Sequence, residues 1–505
     1  MSHEPLTVEA TSQDVAAWKG DCLVVGVYQG GKAQKSLHLA GAPVEQAVTR
    51  ALKDKWLTGK TGEILILPAP YHGEGHFRRV LLLGLGKRRE ITPESLRAAG
   101  GHVVAAAHKN RIERLLLLPS LDRHNMGRLA GAEALAEGAL LGAYRFEHYR
   151  KKKSPDKTSH PRQLDLAIRL EQRSKLVKRL QRTTTVVRGV TLARDLANHP
   201  GNVVDPDYLA RLARELGERL PIKTTILDEQ DLRQAGMNGI LAVGQGSTKP
   251  PRLIIMEYRN GGETPPLAVV GKAITFDSGG LSLKPPAKME EMKYDMSGGA
   301  AVFGFLQAIA ELKLPINVVG LVPTAENMPS GTAQRPGDVI RTAKGLFVEV
   351  INTDAEGRLI LADALHHAEI FEPKAVIDLA TLTGACTIAL GHHCCGLLSN
   401  HDGLAKKVAW AGRKAGERTW RLPMFPEYRK VLESTIADLK NVGDQGAGTI
   451  TAACFLSRFV GPDRPWVHLD IAGTAWEHTG RPHIAKGSAG FGVRLLCRLA
   501  RTFKD

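Results

Sequence analysis

Cysteine is scarce in this chain. Six among 505 residues cannot staple a scaffold of this size, and no C-x-x-C occurs. Cys394 and Cys395 are adjacent, a spacing that suits neither a disulfide nor a zinc knuckle. A reducing compartment is implied. Aromatic residues make up only 5%, so aliphatic side chains must fill most of any core. No apolar run reaches the ~18 residues that a membrane helix needs. The opening "MSHEPLTVEATSQ" has neither the basic nor the apolar segment of a secretory signal. Cytoplasmic placement and no membrane partner are therefore expected. H-E-x-x-H and G-x-S-x-G are missing too. "GLGKRR" (Gly84 to Arg89) has arginine where a dinucleotide loop needs its third glycine, and "GKT" (Gly59 to Thr61) lacks the upstream glycine of a phosphate loop. "HHCC" (His392 to Cys395) looks metal-like, but four consecutive residues cannot easily converge on one ion.

What is present is a globular composition. Hydrophobic residues reach 43%, and the length suits two or three domains. The net charge of +16 is unevenly spread. Between Arg145 and Arg188 there are 14 Lys or Arg against 4 Asp or Glu, which supplies +10 of the total. That window, residues 145–188, reads as a solvated linker and helix face, with nucleic-acid binding as the alternative. "KKKSPDKTSHPRQ" (Lys151 to Gln163) is the linker candidate. Strand-like and helix-like segments alternate on both sides of it. "DCLVVGVY" and "VLLLGLG" read as strands, and "SLRAAGGHVVAAAHKN" as a helix. Further on, "PPLAVVGK", "PINVVGLVP", "GLFVEVINTD" and "AVIDLATLTG" read as strands; "SGGAAVFGFLQAIAEL" and "RLILADALHHAEIF" read as helices. The fold class is α/β: a smaller N-terminal α/β domain (1–165), a linker and connecting helix (166–195), and a larger C-terminal domain (196–505) with a mostly parallel central sheet. Ligands of such sheets gather beyond the carboxyl ends of the strands, where Lys272 and Asp354 are expected to lie.

The chemistry concentrates in a few segments. "NTDAEGRL" (Asn352 to Leu359) places Asp354, Glu356 and Arg358 at alternate positions, on one face if the chain is extended there. Upstream, "VGKAITFDSGGLSLKPPAKMEEMKYDMSGGAA" adds Lys272, Asp277, Lys284 and Asp295. Each has an ordinary reading: Asp295 as a helix cap, Asp277 as an Asx-turn, the lysines as surface charge. Jointly those readings fare worse. Four carboxylates and three cations beside strand ends and glycine turns, between apolar segments, need partners. A pair of divalent cations satisfies them, as in two-metal hydrolases. The donors are mainly hard oxygen, which allows Mn2+, Mg2+ or Zn2+, with Co2+ as a substitute. A phosphatase or nuclease would use similar oxygen-rich chemistry.

These segments resemble the cytosolic leucine aminopeptidase family, above all in "NTDAEGRLIL". "VGKAITFDSGG", "MKYDMSGGAAV", "TAENMPSG", "DLATLTGAC", "AGTITAA", "HLDIAGTAW" and "GFGVRLL" match as well. The resemblance spans roughly residues 190–505. It implies a two-metal aminopeptidase that acts on peptides with leucine or other apolar first residues. One ion would be held by Asp277, Asp354 and Glu356, the other by Lys272, Asp277, Asp295 and Glu356. Lys284 and Arg358 match the catalytic positions, with a bicarbonate ion at Arg358 shuttling the proton. Met292, Thr381 and Gly384 match positions lining the pocket for the first side chain. A homohexamer is implied. Ala273, where glycine is common, and "GDQG" (Gly443 to Gly446) depart from the pattern.

Overall fold

The computed structural model describes residues 5–30, 35–70, 77–118, 127–151 and 160–503. Most of the linker candidate, residues 152–159, lies outside them. The chain divides into two compact units, 1–187 with 479–486 and 188–478 with 487–505. The division falls within the helix Leu170–Asn198, on which Leu176, Leu180, Val187 and Val190 are buried.

The smaller unit is built on a six-stranded sheet. Its order is Thr7–Thr11, Gln163–Ala167, Arg114–Leu118, Cys22–Tyr28, Arg79–Gly86, Ile64–Pro68. Every neighbour pair is parallel except the last. Cys22–Val27 are all buried, as a strand covered on both faces must be. Helices Ala42–Lys53, Pro93–Lys109 and Arg128–Gly142 belong to this unit.

The larger unit carries a nine-stranded mixed sheet. Its centre is parallel: Trp466–Asp470, Ala375–Ala380, Leu267–Gly271 and Asn317–Asn327 lie side by side in that order. Arg252–Arg259 and Ile222–Leu227 continue antiparallel from one side, and Cys395–Ser399 begins the other. Ala273–Asp277 pairs with the far end of Asn317–Asn327. The chain leaves Leu267–Gly271 for neighbours on opposite sides, so the crevice beyond Gly271 is a switch point. Lys272 is the first residue in it.

Two helices explain the two faces. In Ser297–Glu311 every residue to Ala310 is buried except Gln307, as its small and apolar composition requires. Its Val302 and Leu306 approach Gly320. On the opposite face, Val319 and Leu321 join one apolar cluster with Leu361, Ala364 and Leu365 of helix Gly357–Ala368 and with Phe455 of Gly448–Ser457.

The sequence expectation of a strand through "GLFVEVINTD" needs correction. Only Phe347–Glu349 is a strand, and it belongs to a separate three-stranded sheet with Val339–Arg341 and Leu439–Lys440. Asp354 therefore does not end a central strand. Residues 352–356 form a turn into the helix at Gly357, so the extended alternation of Asp354, Glu356 and Arg358 does not occur. A tight turn brings the carboxylates together instead.

Candidate metal centre

Lys272 is anchored by its backbone between two strands and a helix. Its N–H donates to the Leu379 carbonyl at 3.1 Å, and its carbonyl accepts the Gly299 N–H at 2.7 Å. The side chain is buried. Its ammonium donates to the Thr381 carbonyl at 3.0 Å and lies 2.8 Å from Asp295 Oδ2 and 2.7 Å from Glu356 Oε1.

Asp277 ends its strand and turns through Gly279 and Gly280, whose φ values of 88° and 68° glycine adopts without strain. Its Oδ1 accepts the Gly279 N–H at 2.9 Å, so the Asx-turn is real, and also the Asn327 amide at 2.8 Å. Its Oδ2 faces the Lys284 ammonium at 2.8 Å. Lys284 also pairs with Asp354. The Thr353 hydroxyl bridges the two loops, donating to the Gly279 carbonyl at 2.6 Å and accepting the Ser282 N–H at 2.8 Å. Asn327 and Thr353 were given no role by sequence reasoning. Their signal was position, one in "TAENMPSG" and the other inside "NTDAEGRL".

Asp295 is not a helix cap. It lies in the 3-10 turn Met289–Met296, and the helix after it starts without a side-chain cap. Its Oδ1 accepts the Thr381 hydroxyl at 2.7 Å. Arg358 is buried in the first turn of Gly357–Ala368, where its Nη1 donates to the Asn441 carbonyl at 2.7 Å. Its Nε has no hydrogen-bond partner among the described residues.

All ten residues singled out by sequence line one cavity of about 840 Å3: Lys272, Asp277, Lys284, Met292, Asp295, Asp354, Glu356, Arg358, Thr381 and Gly384. Asp277, Asp354 and Glu356 each bring an oxygen within 4.8 Å of the others, close enough to share an ion. Asp295 Oδ2, Asp354 Oδ1 and Glu356 Oε1 are buried without an aligned hydrogen bond among the described residues, although an ammonium is near each. The ammonium beside each supplies a counter-charge to carboxylates that crowd one another.

The electrostatics agree. Burial, then the neighbouring Glu356 charge, raises the Asp277 carboxyl. Burial raises Asp295 well above the usual carboxylate range. Burial and Asp277 raise Asp354. Burial works against the charge on Lys272, but Asp295, Glu356 and Asp277 outweigh it and raise that group; Lys284 is raised in the same way by Asp277, Glu356 and Asp354. Arg358 is brought down to about 10 by burial, against the pull of Glu356 and Asp470. Crowded carboxylates at this cost are relieved by dications, which also favour the neutral amine of a liganding lysine. The residues present therefore fit a divalent metal centre.

Residues 191–497 match the catalytic domain of the cytosol aminopeptidase family, and residues 24–153 match its N-terminal domain. The chain belongs to the cytosol aminopeptidase family. A probable cytosol aminopeptidase of Syntrophotalea carbinolica is 46% identical over 485 residues, covering 95% of this chain and 97% of that protein. One from Geobacter sp. (strain M21) is 44% identical, covering 98% of this chain and 100% of its own length. Among solved structures, a tomato leucine aminopeptidase variant superposes with a TM-score of 0.88 at 32% identity, over 99% of this chain and 97% of that one. The bottromycin maturation enzyme BotP in complex with Mn gives 0.84 at 34% identity, over 96% and 100%. The chain is thus a metal-dependent aminopeptidase whose cofactors are divalent cations. No helix among its described residues is long and apolar enough to cross a membrane.

One residue tests how closely the aminopeptidase centre is packed. A Cβ on Gly357 would lie 2.6 Å from both Cε and Nζ of Lys272. Gly357→Ala is favourable for the helix by up to ~1 kcal/mol, yet it must displace the ammonium. Activity is expected to fall at least ~10-fold through misplacement, while the melting temperature changes little. Steady-state kinetics beside a thermal melt check this; unchanged activity would mean that Lys272 has room to move.

Proposed function

We propose that this aminopeptidase releases leucine and other apolar residues from the amino end of peptides, using two divalent ions per chain. Lys272, Asp277, Asp295, Asp354 and Glu356 would hold the ions. Mn2+ or Zn2+ are the first choices. The observation that carries the reading is the convergence of these five side chains in one cavity, with oxygens of Asp277, Asp354 and Glu356 close enough to share an ion.

Such a pair of ions, when bound, lowers the pKa of a water toward ~7 and polarises a carbonyl. The chain's own residues supply the rest. Lys284 keeps its proton and donates to the oxygen on which charge develops. The substrate's free α-amine would sit beside Asp295, at the ion it helps to hold, which makes an amino terminus a requirement. Arg358 is too basic to take a proton; its unpartnered Nε suits it to hold bicarbonate. Met292, Thr381 and Gly384, with Leu382, Ala385 and Ile388 beside them, give the first side chain mainly apolar surroundings. Cytoplasmic placement and a homohexamer belong to the same proposal, the latter checked by light scattering.

Metal analysis paired with turnover of Leu-, Met- and Arg-anilides tests the reading. Two ions per chain are expected, with Leu and Met ahead of Arg by roughly tenfold, since an unpaired buried guanidinium costs more than the ~1.4 kcal/mol that such a ratio represents. A chain that holds one ion, or prefers Arg, sinks it. Duplex DNA binding through 145–188 has less support. Arg179 and Arg182 both pair with Glu133, and Arg188 pairs with Glu311.

A further inference from the structure

Behind the cavity wall, ionisable side chains sit where apolar ones would serve a core more cheaply. His468 and Asp470 hold alternate positions of the strand Trp466–Asp470 and share a face. Asp378, on the adjacent strand, is paired directly with His468. All three are 0% exposed. Asp378 Oδ1 meets His468 Nδ1 at 2.5 Å, and its Oδ2 accepts the Trp466 indole N–H at 2.7 Å. Buried ionisable groups of this kind are costly unless paired and hydrogen-bonded.

Asp470 holds a loop. Its Oδ2 accepts the Thr383 hydroxyl at 2.6 Å, and its Oδ1 accepts the backbone N–H groups of Leu382 at 3.3 Å and Ala472 at 3.2 Å. Thr383 accepts the Cys386 N–H at 3.1 Å. Its single hydrogen goes to the carboxylate, so the Thr449 hydroxyl 2.8 Å away is the donor between the two threonines. Both threonines line the cavity. Two residues back, the same loop touches the metal centre. The Thr381 carbonyl accepts from Lys272 at 3.0 Å, and the Thr381 hydroxyl donates to Asp295 at 2.7 Å. The segment Thr381–Thr383 is thus fastened to Asp470 at one end and to Lys272 and Asp295 at the other.

We propose that Asp470 is a positioning residue for the aminopeptidase reaction: by holding the Thr381–Thr383 loop it sets the place of Lys272 and Asp295, and the His468–Asp378 pair supports its charge in the core. The inference rests on the ligand assignment proposed above. The charged groups facing His468 are Asp378 from the neighbouring strand, Asp470 from its own, and Arg358 from the helix Gly357–Ala368. Burial opposes a charge on the imidazole, as does Arg358, but the two carboxylates outweigh them.

The test uses the full chain with Asp470→Asn, Thr383→Val, Thr383→Ser and His468→Gln. Mn2+ affinity is measured by calorimetric titration of the chelated protein, and kcat and KM on Leu-anilide after Mn2+ loading. Asp470→Asn and Thr383→Val are expected to weaken Mn2+ binding and lower kcat by roughly 10-fold or more each, the range for groups that orient metal ligands. KM stays within about threefold if substrate contacts are untouched. Thr383→Ser keeps the hydroxyl and restores both values. His468→Gln moves them the same way by less. Affinity and kcat within about twofold of wild type in both Asp470→Asn and Thr383→Val overturn the proposal, as does failure of Thr383→Ser to restore them. Should Asp470→Asn not fold, the threonine pair decides. A wild-type chain that binds Mn2+ but leaves Leu-anilide intact overturns the substrate reading alone, and the affinity arm still judges Asp470.

Discussion

Lys284→Ala is expected to lower kcat on a leucine anilide by roughly 10²–10³, about 3–4 kcal/mol, with KM and metal content little changed. The magnitude follows from the site's geometry. Lys284 sits at the cavity wall, part-exposed, 2.8 Å from Asp277 and paired with Asp354. Its ammonium is raised: burial opposes the charge, but Asp277, Glu356 and Asp354 more than offset that. Ions bound to those carboxylates would take over the charge balance, and the ammonium would then be available to an oxyanion. The competing account makes Lys284 only a counter-ion for the carboxylates. In that case alanine would be harmless once metal is bound. Kinetics on the metal-saturated variant, with ion content measured on the same sample, separate the two. A kcat within threefold of wild type would falsify the oxyanion role.

The legible part of this centre is the part encoded by local chemistry. Asp277 before Ser-Gly-Gly, and Lys272 after an apolar run, announce a charged side chain at a strand end beside a tight turn. The structure places both there. The alternation of strands and helices was equally readable, because side-chain periodicity differs between them. Strand order was not, since an apolar run does not say which sheet it joins. Phe347–Glu349 shows the consequence: it looks like a central strand and lies in the small sheet. The alternate spacing of Asp354, Glu356 and Arg358 suggested an extended chain, whereas the helix start at Gly357 brings them together by a turn. Asp378, His468 and Asp470 stood in quoted motifs without a role. Asp378 is one polar residue in an apolar strand, His468 and Asp470 alternate in another, and the partners of Asp378 lie 88 and 90 residues away. Only the parallel pairing of their strands makes them one feature.

A second large effect lies outside the metal centre and concerns stability. Asp363, on the buried face of Gly357–Ala368, accepts the Ile240 N–H at 3.0 Å and the Ala343 N–H at 2.8 Å. It ties this helix to the helix Asn238–Gly244 and to the loop after Val339–Arg341. Burial raises its carboxyl from 3.8 to about 7, although these backbone donors oppose the shift. The native state therefore holds a proton there that the unfolded chain has released between about pH 4 and 7. Over that window the native state loses stability as pH rises, because it binds more protons than the unfolded state. Integrated, the loss is on the order of 4 kcal/mol. Asp363→Ala leaves two buried donors unsatisfied and is expected to cost about 2–5 kcal/mol at pH 5. The gap between wild type and variant should then narrow toward pH 8, since only the wild type carries the titrating group. Comparing the two metal-saturated chains by denaturant unfolding at pH 5, 6, 7 and 8 isolates this group, because the carboxylates of the metal centre are common to both. A gap that stays constant from pH 5 to 8 means that Asp363 is ionised in the native state throughout and that its backbone donors outweigh its burial.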